Sequence, residues 1–126
     1  MIDDLDCLVI GGGPAGLTAA IYLGRFQRRV LVVDKGWSRA EWIAKSHNLP
    51  GFPDGIAGPA LLENLRVQTR LYGAILEAGV VDSLLRDKDE APFMARSAPR
   101  PWRHARSCWP QAWSKTSRRC RTSPMR

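Results

Sequence analysis

An α/β fold with a parallel sheet is predicted by three features of the 126-residue sequence. A short uncharged aliphatic run ends in a cluster of glycines. A stretch with helical periodicity follows it, and a second aliphatic run follows that. Strands buried on both faces read as continuous apolar runs, and strands that alternate with helices build parallel sheets.

The first run is Asp6-Cys7-Leu8-Val9-Ile10-Gly11. Pro14 stands where a helix starts, since the missing N–H of proline costs nothing in the first turn. Leu17, Ala20, Ile21 and Gly24 then recur on one helical face. The polar segment Arg25–Arg29 breaks the pattern, and Val30-Leu31-Val32-Val33-Asp34 reads as the second buried strand. The crossover between two such parallel strands is right-handed. Further on, Asn48–Gly55 has turn chemistry around Phe52. Gly58-Pro59 opens a second helix, with Leu61, Leu62, Leu65, Gln68, Thr69 and Tyr72 on or near one side, and Gly73 ends it. Ala74–Leu85, centred on Val80-Val81, reads as one strand.

Charge and composition divide the chain near residues 91–99. Residues 1–90 carry ten Lys/Arg and twelve Asp/Glu; residues 91–126 carry nine Lys/Arg and no acid. The net charge of +7 therefore belongs to a basic tail on a near-neutral body. The tail has no Leu, Ile, Val or Gly, so it offers no branched aliphatics to offset the entropy of ordering the chain. It is expected to be disordered or irregular. At this length one domain fits, and an enzyme needing two nucleotide-binding domains is not complete within it.

The acidic start, Met1 to Asp6, lacks the basic region of a signal peptide. Cys7–Gly24 is uncharged, but its five glycines and one proline argue against a membrane-spanning helix. Cys7, Cys108 and Cys120 form no CxxC and no metal-ligand spacing, so no metal site is expected. Cys7 reads as core, and a reducing cytoplasm is the expected compartment.

The chemistry concentrates in Gly11-Gly12-Gly13-Pro14-Ala15-Gly16, which fits G-x-G-x-x-G between a strand and a helix. Gly11 permits the tight exit from the strand. Gly13 lets the backbone approach a pyrophosphate, and Gly16 lets the helix lie close to the sheet. The unpaired amides and positive dipole end of the helix then face the phosphates. Asp34, at the end of the second strand, is placed to accept hydrogen bonds from the adenosine ribose. This makes the fold Rossmann-like. For Asp34 the plainer reading is a solvated strand end, and for Lys35 an exposed surface cation.

The string Leu8 to Gly16 resembles the start of FAD-binding flavoprotein reductases. Asn48-Leu49-Pro50-Gly51-Phe52-Pro53, followed by Gly58, Leu61, Leu62, Gln68 and Tyr72-Gly73-Ala74, resembles the thioredoxin-reductase-like branch. The resemblance covers about residues 5–90, which reads as a partial FAD-binding domain, an incomplete Rossmann-like fold. It implies FAD at the glycine motif. By position, Gly11, Gly12, Gly13, Pro14, Ala15 and Gly16 hold the pyrophosphate, Asp34 with neighbouring Lys35 lies at the ribose, Asn48 lies near the flavin, and Val81 touches the adenine. Asn48 also reads simply as a turn former, and Val81 as a core strand residue.

In the full-length family the chemistry uses a redox-active CxxC and a separate NADPH-binding domain. Neither is present in this sequence, so no catalytic residue is assigned and the chain by itself is expected to be incompetent as a disulfide reductase. Family members are commonly homodimers; the oligomeric state here is left open. Two other readings are a small NAD-binding Rossmann module and a nucleic-acid-binding protein acting through the Arg- and Trp-bearing tail. The tail shows no RNA- or DNA-binding motif, so no specific nucleic-acid partner is expected.

The tail has a further reading, as an out-of-frame translation. The family places an apolar strand ending in Ala-Thr-Gly after the strand near Val81. When codons for Arg106 to Ser114 are read from the third base of each preceding codon, they can encode Val-Leu-Leu-Ala-Thr-Gly-Val-Val. The Leu and Ala that arise across Cys108, Trp109 and Pro110 are forced by the genetic code.

Overall fold

The structure, a computed structural model, describes residues 5–86, 93–98 and 103–110. Its elements in chain order are β1 (Leu5–Ile10), α1 (Pro14–Arg25), β2 (Val30–Asp34), a short 3-10 helix (Arg39–Trp42), α2 (Gly58–Leu71), β3 (Ile75–Ala78), β4 (Val80–Leu85), β5 (Phe93–Ala98) and β6 (Arg103–Pro110). The six strands form one sheet in the order β3-β2-β1-β6-β5-β4. β1 pairs in parallel with β2, Cys7 opposite Val30 and Ile10 opposite Val33, and with β6 on its other side. β2 pairs in parallel with β3, while β4, β5 and β6 are antiparallel to one another in turn.

The two aliphatic runs are buried on both faces, as their lack of alternation implies. Cys7, Val9, Val30 and Val32 pack with Ala20 of α1 and with Ala74 on one face. Leu5, Leu8, Leu31 and Val33 pack on the other with Ala95 of β5, and Val81 and Leu84 of β4 lie against them. Of the helical face read from the sequence, α1 buries Leu17, Ala20 and Ile21, together with Gly16, while Gly24 is half-buried. At the start of β1 the backbone N–H of Arg29 donates to Asp6 Oδ2 at 2.9 Å, and the guanidinium lies 3.5 Å away. That amide, then the guanidinium, holds the Asp6 carboxyl below its ordinary value. The contribution is present above the ordinary carboxylate range and is lost as pH falls through the lowered value.

α2 begins at Gly58, where a Cβ would overlap the carbonyl oxygen of Ala40. This close approach seats the 3-10 helix on α2, and Leu17, Ala40 and Leu62 form a small core beneath it. α2 stops as its composition implies: Gly73 takes φ +80°, a conformation that side chains resist. The Thr69 hydroxyl donates to the Leu65 carbonyl at 2.7 Å and approaches that of Leu17 at 3.4 Å, which ties α2 to α1.

Two features differ from the sequence reading. The strand read as Ala74–Leu85 is divided at Gly79, whose N–H donates to the Asp34 carbonyl at 2.9 Å. β3 continues the parallel sheet beside β2, and β4 leaves it to pair with β5. Within the tail, Phe93–Ala98 and Arg103–Pro110 are extended and paired. Pairing uses backbone groups that every residue but proline has in full, so it does not require the aliphatics the tail lacks. Of the tail side chains described, Ala95 alone is buried. The other residues read in the tail, Cys120 among them, lie outside the described residues.

Candidate nucleotide-binding site

The glycine turn lies where β1 ends and α1 begins. Gly11 takes φ +105°, and its N–H donates to the Val33 carbonyl at 2.8 Å, closing the ends of β1 and β2 together. Gly13 is buried and forms the N-cap of α1 with extended backbone, and no side chain caps the helix. Pro14 opens it, and the first intrahelical bond runs from the Leu17 N–H to the Gly13 carbonyl at 2.9 Å. The amides of Ala15 and Gly16 therefore precede the helical ladder, at its positive dipole end, and no acid lies in the first turn. A Cβ on Gly16 would overlap the Gly11 carbonyl oxygen and lie 3.2 Å from Val9 Cγ1, so the start of the helix rests directly on the strand exit.

Gly12 has a reason that its place in the motif did not reveal. A Cβ there would overlap the carboxylate of Asp34 and come within 2.8 Å of Asp34 Cβ. The acid at the end of β2 is folded down over the glycine turn. Its side chain is about one-fifth exposed, and Oδ2 lies 4.0 Å from Nη2 of Arg66.

A cavity of about 690 Å³ opens at this point. Ile10, Gly11, Gly13, Pro14 and Ala15 form its floor, and Val33, Asp34 and Lys35 form one wall. Trp37, Ser38, Arg39 and Ala40 form a second wall, and Gly79, Val80 and Val81 a third. Its size suits part of a dinucleotide. The floor offers backbone amides, the first wall a carboxylate, and the rim apolar surface, with the Trp37 side chain 84% exposed. These residues fit the adenosine and pyrophosphate of a dinucleotide cofactor.

The structure thus brings Gly11, Gly13, Pro14, Ala15, Asp34, Lys35 and Val81 to one cavity. Gly12 and Gly16 lie just beneath it, as packing positions. Val81 is half-buried and serves both the cavity wall and the core. Asn48 stands apart. It is exposed, accepts a 2.6 Å hydrogen bond from Ser46 Oγ, and belongs to a loop closed by the Ser46–Ile56 bridge. The second wall and Gly79 were not singled out from the sequence. Ser38 carried a usable signal, as it caps the 3-10 helix by accepting from the Ala40 N–H at 3.3 Å. Among the described residues no cluster of potential metal ligands occurs, and no helix is long and apolar enough to cross a membrane.

Comparison with known proteins agrees with this geometry. A thioredoxin reductase of Pneumocystis carinii is 39% identical over 93 residues, covering 68% of this chain and 28% of that protein. The thioredoxin reductase of Streptomyces coelicolor is 39% identical over 79 residues, covering 60% and 24%. The solved structure of a thioredoxin reductase from Gloeobacter violaceus superposes with a TM-score of 0.78 at 28% identity, over 87% of this chain and 37% of the other. The chain therefore spans between about a quarter and two-fifths of the length of these relatives. The sequence pattern described as pyridine nucleotide-disulphide oxidoreductase matches residues 5–72, more than half of the chain. The chain belongs to the pyridine nucleotide-disulphide oxidoreductase family, in its thioredoxin-reductase-like branch.

Proposed function

We propose that this site binds FAD through its adenosine and pyrophosphate, as the first portion of a flavoprotein that carries electrons from NADPH to a disulfide or similar acceptor. The observation that carries the reading is the meeting of three groups at one cavity: the glycine turn with its helix amides, the Asp34 carboxylate, and the Val80-Val81 wall. Bound FAD would supply two-electron transfer. The residues of this chain bind and orient it. The amides of Ala15 and Gly16, with the dipole of α1, offset the pyrophosphate charge. Asp34 accepts from the ribose hydroxyls. Val81 and the exposed indole of Trp37 give the adenine apolar surface, and Lys35 and Arg39 stand at the cavity as cations. The Asn48–Pro53 loop is assigned to the flavin end, where the side-chain amide of Asn48 is a donor not engaged by Ser46.

The sequence contains no CxxC, so these residues hold the cofactor and the dithiol chemistry is not theirs. A reducing cytoplasm is the compartment that suits three cysteines in no paired motif.

Titration of the chain with FAD, ADP and FMN tests the reading. FAD and ADP are expected to bind, because both bring adenosine and a pyrophosphate to the cavity. FMN, which has neither, is expected to bind at least about tenfold more weakly, a difference of about 1.4 kcal/mol. FMN binding as tightly as FAD would place the recognition elsewhere.

A further inference from the structure

We infer that Arg66 of α2 is a positioning residue for the nucleotide site, which fixes the Asp34 carboxylate and the 3-10 wall in the arrangement that receives the ribose. The inference rests on the FAD reading above, and it concerns a residue outside the glycine motif and outside the cavity lining.

One guanidinium meets three carboxylates. Nη2 lies 3.4 Å from Glu41 Oε1 and 4.0 Å from Asp34 Oδ2, and Nη1 lies 3.9 Å from Glu63 Oε2. Glu63 is largely exposed, and its i,i+3 pair on the helix surface contributes little. The other two differ. Asp34 ends β2 on the first wall of the cavity, and Glu41 belongs to the 3-10 helix whose residues Arg39 and Ala40 form part of the second. Arg66 is three-quarters buried between them. A single nitrogen, Nη2, faces both carboxylates, and the rigid guanidinium plane holds it there in a way that an ammonium on a flexible stem does not.

The Asp34 side chain is confined on other sides as well. Gly12 lies against it so closely that no methyl group would fit, and the Gly79 N–H holds the Asp34 carbonyl. Oδ2 is the oxygen directed at Gly12 and Arg66. The Arg66 contact at 4.0 Å is an ion pair and not a hydrogen bond, so the Asp34 carboxylate keeps its acceptor capacity for the ribose hydroxyls. A preformed acceptor spares the ligand the cost of ordering it. Removing Arg66 frees the Asp34 side chain to rotate.

The test compares ADP with 2′,3′-dideoxy-ADP by calorimetry on the full chain and on Arg66→Gln, Arg66→Lys, Asp34→Asn and the Arg66→Gln/Asp34→Asn double variant. Arg66→Gln is expected to weaken ADP about tenfold and to leave dideoxy-ADP unchanged, because only ADP uses the oriented carboxylate. Arg66→Lys should recover part of the loss, and in the Asp34→Asn background Arg66→Gln should have little further effect. If Arg66→Gln does not fold, Arg66→Lys carries the test with an intermediate loss confined to ADP. Equal weakening of both ligands, or weakening of neither, overturns the positioning role while the FAD reading stands. Failure of the unmodified chain to bind either FAD or ADP overturns both.

Discussion

Gly13→Ala is expected to lower FAD affinity by at least about a hundredfold, about 2.7 kcal/mol, while leaving the fold nearly as stable as before. The two halves of this expectation have separate causes. Gly13 has φ −81° and ψ 179°, which alanine adopts without strain, so its backbone does not demand glycine. What the position supplies is close approach of the main chain to the pyrophosphate, and a methyl group there stands between the phosphates and the helix amides. The neighbouring glycines behave differently. At Gly16 a methyl meets the Gly11 carbonyl, and at Gly12 it meets the Asp34 side chain, so alanine at either position disturbs the protein before any ligand is added. Flavin fluorescence gives the affinity, and urea unfolding of the ligand-free chain gives the stability. A Gly13→Ala variant that binds FAD as the unmodified chain does would remove the pyrophosphate from the glycine turn.

Replacing Arg106–Trp113 with Val-Leu-Leu-Ala-Thr-Gly-Val-Val is expected to raise the unfolding free energy by at least about 2 kcal/mol and to tighten FAD binding. β6 lies between β1 and β5, with Ser107 opposite Cys7 and Trp109 opposite Val9. A strand in the middle of a sheet, here parallel to β1 and antiparallel to β5, is ordinarily rich in aliphatics, and proline belongs at edges or bulges. This one reads Arg-His-Ala-Arg-Ser-Cys-Trp-Pro. It ends at Pro110 opposite Ile10, one residue before the glycine turn. The shifted-frame peptide would put Val-Leu-Leu-Ala along the last part of that strand and Thr at its final position, opposite Ile10. The fold match with the Gloeobacter structure covers 87% of the chain, more than residues 1–90 alone supply, so it extends into the tail. On these grounds we propose that residues 1–90 are a partial FAD-binding domain and residues 91–126 its out-of-frame continuation. An unchanged or lowered stability on replacement would count against that reading. So would gene sequence beyond the boundary in which no frame runs into a CxxC and a second glycine-rich motif.

Most of what was legible in the sequence was local. The β1-α1-β2 unit could be read because its information is periodicity: continuous aliphatic runs for strands buried on two faces, and a 3.6-residue repeat for the buried side of α1. The stop at Gly73 and the exit at Gly11 were legible because a left-handed backbone position leaves glycine in the sequence. The site's floor and Asp34 followed from spacing alone. The rest depends on partners far apart in the chain. The break at Gly79 comes from its bond to the Asp34 carbonyl, 45 residues earlier in the numbering. β4 turns to β5 because an antiparallel partner lies there, and the tail strands are held by backbone pairing that composition does not report. Arg66 was not singled out from the sequence, because only the fold brings Asp34 and Glu41 to it.

The most direct measurement is a paired titration of the purified full chain with FAD and with NAD, followed by flavin fluorescence and calorimetry. Both cofactors contain the adenosine and pyrophosphate that the cavity fits, so the comparison isolates the choice between them. Saturable FAD binding is expected, tighter than that of NAD and removed by Gly13→Ala. Tighter binding of NAD, or no binding of either, would contradict it.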